Sequence, residues 1–403
     1  MKYKFKNINK KSLLIVIIAV LVISSCSIIL YKTFNSSDKT TTSVKKKKEK
    51  KDTVSFLAVG DNVIHQNVYE YADKQAGTSG DGKYDFTSCY KNIKSDIKKA
   101  DISYICQETI LGGDDKGASG YPAFNSPSVL ASNLKTVGFD VVSSATNHAM
   151  DEDVDGVLNN NNTFNSVKGL THIGTYSSNE DRNNIRVINK NGIRIAFLAY
   201  TFGVNQYTNY SHIQAQMQAY PYLIPVLDEN TVKTEVANAK KVSDVVVVAT
   251  HWGVENDRNL NSLQTHYADI LTECGVDLVV GSHPHLVETM EYKTSSTGHK
   301  TLVIYSLGNV ISTMKEVDTQ LEMMFTCDFV KNKDKTISIE NIKVTPLINH
   351  YNGNNLCTVY KYSQCTNKLA SSSSVLHTQT DVKKYFKTVM ENTIPSQFKK
   401  VYK

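Results

Sequence analysis

The sequence lacks the features that mark several common protein classes. Its 403 residues contain one Trp, seven Pro and 20 Gly, and they show no internal repeat. Hydrophobic residues make up 40% of the chain and charged residues 21%, a balance that excludes disordered, collagen-like and coiled-coil proteins. No CxxC pair occurs among the seven Cys, so zinc-knuckle and thioredoxin chemistry lose support.

The positive charge of the chain is confined to one end. The formal net charge is +6, but residues 1–51 hold 13 Lys against two acidic residues. Residues 52–403 then hold 32 basic and 37 acidic side chains, which gives them a net charge of -5. A basic surface attracts nucleic acid only where it lies on the part that binds. We therefore expect no nucleic-acid partner.

An uncharged segment of membrane-spanning length lies near the N-terminus. Residues 12–31 read SLLIVIIAVLVISSCSIILY, and about 20 apolar residues are what an α-helix needs to cross a bilayer. The lysines before the segment favour a cytoplasmic N-terminus and an extracellular body. We predict a cytoplasmic basic tail at 1–11, a single-pass cell-membrane anchor at 12–31, and a solvated Lys/Ser/Thr-rich stalk at 32–52.

Two alternatives for this segment stay open. The sequence ISSC, ending at Cys26, resembles a lipoprotein cleavage box with Cys26 as the lipidated residue, and a cleaved signal peptide has a similar pattern. The apolar stretch continues as SIILY beyond Cys26, which favours the uncleaved anchor. All three interpretations of the segment place the body outside the cell. In that environment we expect a disulfide between Cys357 and Cys365, which are close in sequence.

The body alternates apolar, strand-like runs with amphipathic helical patterns, which predicts an α/β fold with βαβ units. Asn191-Gly192, between two alternating runs, is a strong hairpin signal, so we expect a mixed sheet or a pair of sheets. We assign the runs 301–309, 321–330 and 336–344 to a second sheet. A terminal helix is expected at 381–391. Strands are also predicted at 54–60, 101–108, 139–146, 244–251 and 276–281, and helices at 90–99, 128–137, 153–167, 232–242 and 263–274.

Residues of metal-ligand type recur where the predicted strands stop. Open α/β sheets place their sites at the carboxyl ends of strands, so these side chains should converge. Carboxylate and imidazole together suit Mn, Fe, Co, Ni or Zn better than Mg or Ca. A carboxylate that bridges two such ions favours hydrolytic chemistry. The residues are Asp61, Glu108, Asn147, His148, His251, His283 and His285.

The motifs, in their order and spacing, resemble a known family. They are FLAVGD (56–61), GFDVVSSATNHAMD (138–151), VVATHWGVE (247–255), GVDLVVGSHPHLVE (275–288) and YSLGN (305–309). Together they resemble the bacterial CapA family of poly-γ-glutamate (capsule) synthesis proteins. The resemblance implies a metallophosphoesterase-like, four-layer αββα sandwich of two mixed sheets. We place this domain at 53–348, with a C-terminal extension at 349–403.

The same resemblance implies two divalent metal ions, of Mn, Fe or Zn type. Asp61 and His285 would bind one ion, Asn147, His251 and His283 the other, and Glu108 would bridge them. His148 would be an uncoordinated imidazole that protonates a leaving oxygen or stabilises the transition state, and Asp151 would orient it.

The sequence departs from the family pattern at several positions. Phosphoesterases usually carry a His two residues after the first Asp, where this chain has Val63, and the nearest candidate is His65. The first metal position is therefore expected to be weak or empty. The usual Asn-Leu-Glu-Gly reads CQET around Glu108, and Thr146 replaces a common Asn. The YSLGN segment is interpreted as loop support for the site.

The predicted function is that of a membrane-anchored extracellular protein for capsule (poly-γ-glutamate) synthesis, export or anchoring, with a dinuclear hydrolase-type site. Its expected partners are the membrane, an anionic capsule polymer or envelope substrate, and subunits of a capsule synthesis complex. Two alternatives remain. One is a non-catalytic polymer-binding or scaffold subunit of that complex, and the other is a scavenging surface phosphoesterase.

Overall fold

The computed structural model describes residues 52–205 and 210–402. The predicted tail, membrane segment and almost all of the stalk lie outside the described residues, so the anchor and its alternatives stay predictions. Within the two described ranges, no helix combines the length and the apolar character needed to cross a membrane.

The strands of the described ranges fall into two sheets. In chain order they are β1 (Thr53–Asn62), β2 (Ile102–Gln107), β3 (Val141–Ser143), β4 (Thr171–Ile173), β5 (Arg186–Lys190), β6 (Ile193–Thr201), β7 (Val245–His251), β8 (Leu278–Ser282), β9 (Met290–Thr294), β10 (Lys300–Ile304), β11 (Asn309–Ile311), β12 (Leu321–Lys331), β13 (Ile337–Asn352), β14 (Leu356–Lys361) and β15 (Lys399–Lys400).

Most of the predicted helices are present, some of them shorter than expected. In chain order the α-helices are α1 (Gln66–Ala76), α2 (Lys94–Ile97), α3 (Val129–Val137), α4 (Asp153–Ser166), α5 (Asn179–Asn183), α6 (Tyr210–Ala219), α7 (Glu229–Val242), α8 (Ser262–Glu273), α9 (Asn367–Ser372) and α10 (Val382–Thr393). Of the predicted helix 90–99, only the one-turn α2 is α-helical, and it follows a 3₁₀ turn at Thr87–Tyr90.

Both sheets are mixed. The larger has the order β14-β13-β12-β1-β2-β3-β4, with β11 also beside β1 and β15 beside β13. In it β1 to β4 are parallel, whereas β12 is antiparallel to β1. The smaller sheet has the order β5-β6-β7-β8-β10-β9, with antiparallel edge strands on a parallel centre. The β5-β6 pair is the hairpin predicted at Asn191-Gly192.

The predicted membership of the second sheet is only partly right. Residues 301–304 do join the smaller sheet as β10, but β12 and β13 belong to the larger one, where β12 pairs with β1. The YSLGN segment leaves the smaller sheet, and its last residue, Asn309, begins β11 beside β1. Alternating apolar residues identify a strand, but they do not select its partner, because pairing is a long-range contact.

Apolar residues are divided between three layers of packing. Phe56 of β1 and Val247 of β7 belong to the cluster between the two sheets. Leu57 faces the other way and packs with residues of α1 and α3, and Val248 packs with residues of α7 and α8. Each fully buried side chain of this size contributes about 1.5–3 kcal/mol. The result is an α/β sandwich with helices on both outer faces, as the fold prediction required.

The predicted disulfide is wrong, because Cys357 and Cys365 are both free. Cys357 lies on β14 and contributes to the cluster on the helix-covered face of the larger sheet. Cys365 contributes to the cluster between the sheets. The two thiols therefore pack in different clusters, and a short separation in sequence cannot bring such sulfurs together.

Candidate metal centre

The predicted ligands meet at one edge of the sandwich, where strands of both sheets end. On the larger sheet, Asp61 of β1 lies beside Cys106 of β2, and Glu108 follows β2 directly. On the smaller sheet, His251 ends β7 and lies beside Ser282 at the end of β8. The loop after β8 carries His283 and His285. The expected convergence of these side chains is therefore present.

Close backbone contacts bring these strand ends together. A Cβ on Gly60 would lie 1.9 Å from the carbonyl oxygen of Gly308, and a Cβ on Gly281 would lie 1.9 Å from that of Tyr305. Only glycine permits such an approach without displacing the neighbouring strand. The glycines that precede Asp61 and the SHPH loop are therefore required by packing.

One group of ligands consists of Asp61, Glu108 and His285. Nε2 of His285 lies 3.6 Å from Oε1 of Glu108, and its Nδ1 lies 3.7 Å from Oδ2 of Asp61. The three side chains surround a common point, with one ligand atom from each lying within 4.8 Å of the other two. Such separations suit a cation bound at about 2.0–2.2 Å from each oxygen or nitrogen.

Asn309 fixes the imidazole of His285. Its Oδ1 lies 2.9 Å from Nδ1 of His285, and its amide nitrogen donates to the carbonyl oxygen of Thr319. The oxygen of the amide is thereby the atom that faces the ring, and Nδ1 must carry the proton. Nε2 is left with a lone pair toward Glu108, as a metal ligand needs. The sequence analysis predicted only a general loop-support role for YSLGN.

His251 is held from both sides in a similar way. Its Nδ1 lies 2.9 Å from Oγ of Ser282, and the Ser282 hydroxyl donates to the carbonyl of Thr250. Nδ1 therefore carries the proton, and Nε2 turns its lone pair to Oδ1 of Asn147, 2.9 Å away. Asn147 is kept in this orientation by donation from Nδ2 to Glu255. A cation bound by both atoms would account for two acceptors this close.

The strained loop after β8 carries the remaining imidazole. His283 and His285 have φ values of 98° and 60°, a region that costs non-glycine residues on the order of 1–3 kcal/mol each. The backbone N–H of His283 donates to Oδ2 of Asp61 at 3.0 Å. The ring of His283 lies 4.7 Å from that of His251. The loop conformation with these two positive φ values places the rings of His283 and His285 at the same centre.

Several buried ligand atoms have no hydrogen-bond partner among the described residues. They are Oδ1 of Asp61, both carboxylate oxygens of Glu108 and Nδ1 of His283. Leaving such groups buried and unpaired costs about 1–3 kcal/mol each, and more when they are charged. A bound cation would satisfy all of them, so the donor set fits a divalent metal with mixed oxygen and nitrogen ligands.

Burial also sets the protonation of these ligands. It raises the pKa of Asp61 to about 7, and it raises that of Glu108 well above its ordinary value, with help from the charge of Asp61. It lowers the pKa of His285 to about 4 and that of His251 and His283 well below the ordinary value. Neutral imidazoles are ready ligands, while the carboxyls need a cation in order to ionise.

The His148–Asp151 pair lies beside the ligands. Nδ1 of His148 and Oδ2 of Asp151 are 2.6 Å apart, and the same oxygen accepts the backbone N–H of Phe124 at 2.8 Å. Nε2 of His148 lies 4.0 Å from Oε1 of Glu108. Asn205 contacts the ring with its amide nitrogen at 3.4 Å. The imidazole thus presents one nitrogen to its carboxylate and the other to the centre.

Two buried neighbours of Asp61 were not among the predicted site residues. Cys106 forms a second compact group with Asp61 and His251, and it lies near the end of β2, two residues before Glu108. Glu322 of β12 accepts the backbone N–H of Gly60 at 2.8 Å. Strand periodicity alone could have placed Cys106 here. Glu322 could not have been found, since its strand was assigned to the other sheet.

His65 does not replace the missing ligand near Asp61. It lies outside both groups of ligand atoms, and its Nδ1 accepts the backbone N–H of Thr313 at 3.2 Å. Val63 is buried and contributes an aliphatic side chain. The first group therefore offers three protein ligands.

The chain matches a known protein family over most of its body. The family model for the bacterial capsule synthesis protein PGA_cap matches residues 55–314. The chain belongs to this family. The resemblance inferred from the five motifs is thereby confirmed.

Two relatives of this capsule-family protein come from bacilli. The PGA biosynthesis protein CapA of Bacillus subtilis (strain 168) is 33% identical over 181 residues, 44% of each chain. The capsule biosynthesis protein CapA of Bacillus anthracis is 28% identical over 179 residues, which is 44% of this chain and 41% of that protein. The chain thus matches less than half the length of these curated relatives.

Two solved structures show a weaker likeness. A hypothetical protein from Thermus thermophilus is 12% identical with a TM-score of 0.41, and the match covers 72% of this chain and 99% of the other. The NAD nucleotidase of Haemophilus influenzae is 10% identical with a TM-score of 0.43, and the match covers 84% of this chain and 67% of the other.

Proposed function

We propose that this capsule-family protein is a membrane-anchored extracellular hydrolase that acts on an anionic polymer of the capsule, poly-γ-glutamate, or on its attachment to the envelope. One observation carries the hydrolase part of the proposal. It is the buried set of unpartnered ligand atoms on Asp61, Glu108 and His283, next to the His148–Asp151 pair. Family membership supports the polymer, and the apolar segment 12–31 supports the anchor.

We infer that the sandwich is of the metallophosphoesterase type. Two mixed sheets with ligands at their strand ends support this assignment. Two divalent ions of Mn, Fe or Zn type would, when bound, lower the pKa of a water and polarise the bond to be cleaved. The first would be held by Asp61, Glu108 and His285, and the second by Glu108, Asn147, His251 and His283.

His148 is the residue that would move a proton. Hydrolysis leaves a negative oxygen or nitrogen that needs a proton, and a positioned imidazole supplies it, with a gain of roughly 10²- to 10⁴-fold in rate. Asp151 holds Nδ1, so the exchange takes place at Nε2, the nitrogen that faces Glu108. Asp151 also stabilises the charged ring.

The test combines metal content with turnover in the full-length chain. We expect wild type to carry about two divalent ions and to cleave a γ-glutamyl or a phosphodiester substrate. His148→Ala should keep the metal and lose turnover, whereas His251→Ala should lose metal as well. His266→Ala, on the exposed face of α8 beside Glu229, is the matched control.

The same variants decide between hydrolysis and a scaffold role. Deletion of the gene should remove surface polyglutamate, and the His148→Ala protein should fail to restore it. Full restoration by His148→Ala would show that the protein supports the capsule without catalysis. A wild-type protein without bound metal would refute the hydrolase proposal directly.

A further inference from the structure

The segment that follows β6 lies against the candidate metal centre. The backbone N–H of Phe202 donates to the carbonyl oxygen of His251 at 2.9 Å. Three residues further on, the backbone N–H of Asn205 donates to the carbonyl oxygen of Asn147 at 2.7 Å. Both acceptors belong to residues that would hold the second ion. The backbone of residues 202–205 is therefore attached to these ligands at two points.

The side-chain amide of Asn205 packs against the ring of His148. Its nitrogen lies 3.4 Å from Nδ1 and 3.4 Å from Nε2 of that ring. A donor that bonds one ring nitrogen lies along its lone pair, in the plane of the ring, and is then much further from the other nitrogen. Equal distances do not fit such a bond, and Nδ1 is already engaged by Asp151 at 2.6 Å. The N–H groups of Asn205 therefore remain available to another acceptor.

This amide can reach the same oxygen as the proposed proton donor. Nε2 of His148 lies 4.0 Å from Oε1 of Glu108 and so faces the centre. A hydrogen bond from nitrogen to oxygen needs about 2.7–3.2 Å, so an oxygen bonded to Nε2 can also lie within reach of an amide nitrogen 3.4 Å from it. Donors fixed in advance around such an oxygen stabilise the negative charge that it carries or develops.

An exposed aromatic ring lies beside the amide at the same edge of the centre. The ring of Phe202 is 4.6 Å from that of His283. The side chain of His283 is almost fully buried, whereas Phe202 is 37% exposed. Binding sites commonly combine such apolar rings with a few polar groups that fix orientation. Phe202 therefore offers apolar surface to a molecule that approaches the ligands.

The negative charge near this edge does not exclude an anion. Glu255 is exposed, and its carboxylate accepts from the side-chain amide of Asn147 at 3.5 Å. Asp151 is engaged by His148 and by the backbone N–H of Phe124. Two divalent ions, when bound, would bring four positive charges to the same place and attract an anionic oxygen.

We propose that residues 202–205 form a substrate-binding wall of the centre. The side-chain amide of Asn205 donates a hydrogen bond to an anionic oxygen of the substrate, a phosphate or a carboxylate, and the ring of Phe202 packs on the carbon chain next to it. The inference rests on the proposed function, because the oxygen concerned is the one that His148 would serve. It adds two substrate-binding residues to the metal ligands and the proton donor.

The test of Asn205 measures anion binding by calorimetry with the full-length chain loaded with Mn²⁺. The probes are inorganic phosphate and a γ-glutamyl tripeptide, which distinguish the two sources of anionic oxygen. We expect wild type to bind at least one probe and Asn205→Leu, which keeps the bulk of the side chain but removes its N–H groups, to weaken that binding about 10- to 100-fold. Asn238→Leu, on the exposed side of α7, is the matched control and should bind as wild type does.

A double substitution separates contact with the substrate from support of the His148 ring. If Asn205 bonds the anion itself, Asn205→Leu should weaken binding by a similar factor in a His148→Ala protein. If the amide acts only through the ring, the second substitution should have no further effect. Metal content should be the same in all of these variants.

Phe202 is tested with the same two probes. Phe202→Ala should weaken binding of the γ-glutamyl tripeptide several-fold and leave the affinity for phosphate unchanged, because phosphate has no carbon chain. Tyr292→Ala is the matched control, since Tyr292 lies on β9 and is 40% exposed. An unchanged affinity of Phe202→Ala for the tripeptide would refute the role of the ring.

Three results would overturn the role of Asn205. They are equal affinity of wild type and Asn205→Leu, no further loss in the double variant, and no binding of either probe to metal-loaded wild type. Thermal melts of each variant guard against misfolding, and the isosteric Asn205→Asp, which should weaken binding at least as much, serves if Asn205→Leu is unstable. If these results appear while metal content and the His148→Ala defect persist, the inference fails and the proposed function stands. A wild type that takes up no metal would refute the proposed function first, and the inference with it.

Discussion

Substitution of Asp151 by Asn tests the proton-transfer pair most directly. In the native protein Asp151 accepts from Nδ1 of His148 at 2.6 Å and from the N–H of Phe124 at 2.8 Å. Both contacts go to the same oxygen, so in Asp151→Asn the amide oxygen takes this place, where it still accepts from Phe124 and from Nδ1. The ring then keeps its orientation but loses the carboxylate that stabilises its charged form.

The expected loss follows from the role that Asp151 supports. If His148 contributes roughly 10²- to 10⁴-fold as a general acid, loss of its charged form should lower kcat by a similar factor. This corresponds to about 2.7–5.4 kcal/mol in the activation free energy at 1.36 kcal/mol per tenfold. Metal content should stay unchanged, because the pair lies outside both groups of ligand atoms.

The assay is steady-state kinetics on the metal-loaded full-length chain, with metal content measured in parallel. Asp140→Asn is the control, since Asp140 is also partly buried on the larger sheet but pairs with Lys135 at 2.8 Å, away from the centre. A kcat within threefold of wild type in Asp151→Asn would refute the proton-transfer role. Loss of metal in that variant would show instead that the pair supports the ligands.

Three further predictions concern packing, metal affinity and pH. Gly60→Ala should unfold the protein or lower its melting temperature strongly, because its Cβ would lie 1.9 Å from a carbonyl oxygen, whereas Gly203→Ala, with open space around it, should melt as wild type does. Asn309→Ala should weaken metal binding in a titration by about 10- to 100-fold, since it frees the ring of His285; unchanged affinity would argue against this positioning. Glu288 is buried and its pKa is raised to about 8, so its folded form holds the proton and stability should fall as pH rises from 6.5 to about 8, by up to about 1.4 kcal/mol per unit. Glu288→Gln should flatten the melting temperature over that interval, and an equally steep fall in the variant would contradict the assignment.

Much of the candidate site could be predicted from the sequence. Asp61, Glu108 and His251 each end or follow a buried apolar run, and such runs identify strand ends through local composition alone. Since the carboxyl ends of parallel strands share one edge, their convergence was expected, and the structure brings them together. The chemical roles of these residues stay predictions until metal content and kinetics are measured.

Other features depended on contacts between distant parts of the chain. Asn309 fixes His285 only because β11 lies beside β1, and Glu322 reaches Gly60 only because β12 pairs with β1. The disulfide prediction failed for the same reason, since proximity in sequence did not show that the two cysteines pack in different clusters. Strand pairing is set by packing over the whole domain.

The sequence by itself determined the confinement of positive charge to residues 1–51, the identity of most strands, the residues at their ends and the family. These properties are encoded locally, in composition, periodicity and short motifs. Only the tertiary structure decided which strands share a sheet, which ring nitrogen of His251 and of His285 carries the proton, and that His65 faces a cavity instead of the ligands. Those properties arise from hydrogen bonds between residues far apart in the chain, such as Thr313 with His65, and no local pattern contains them.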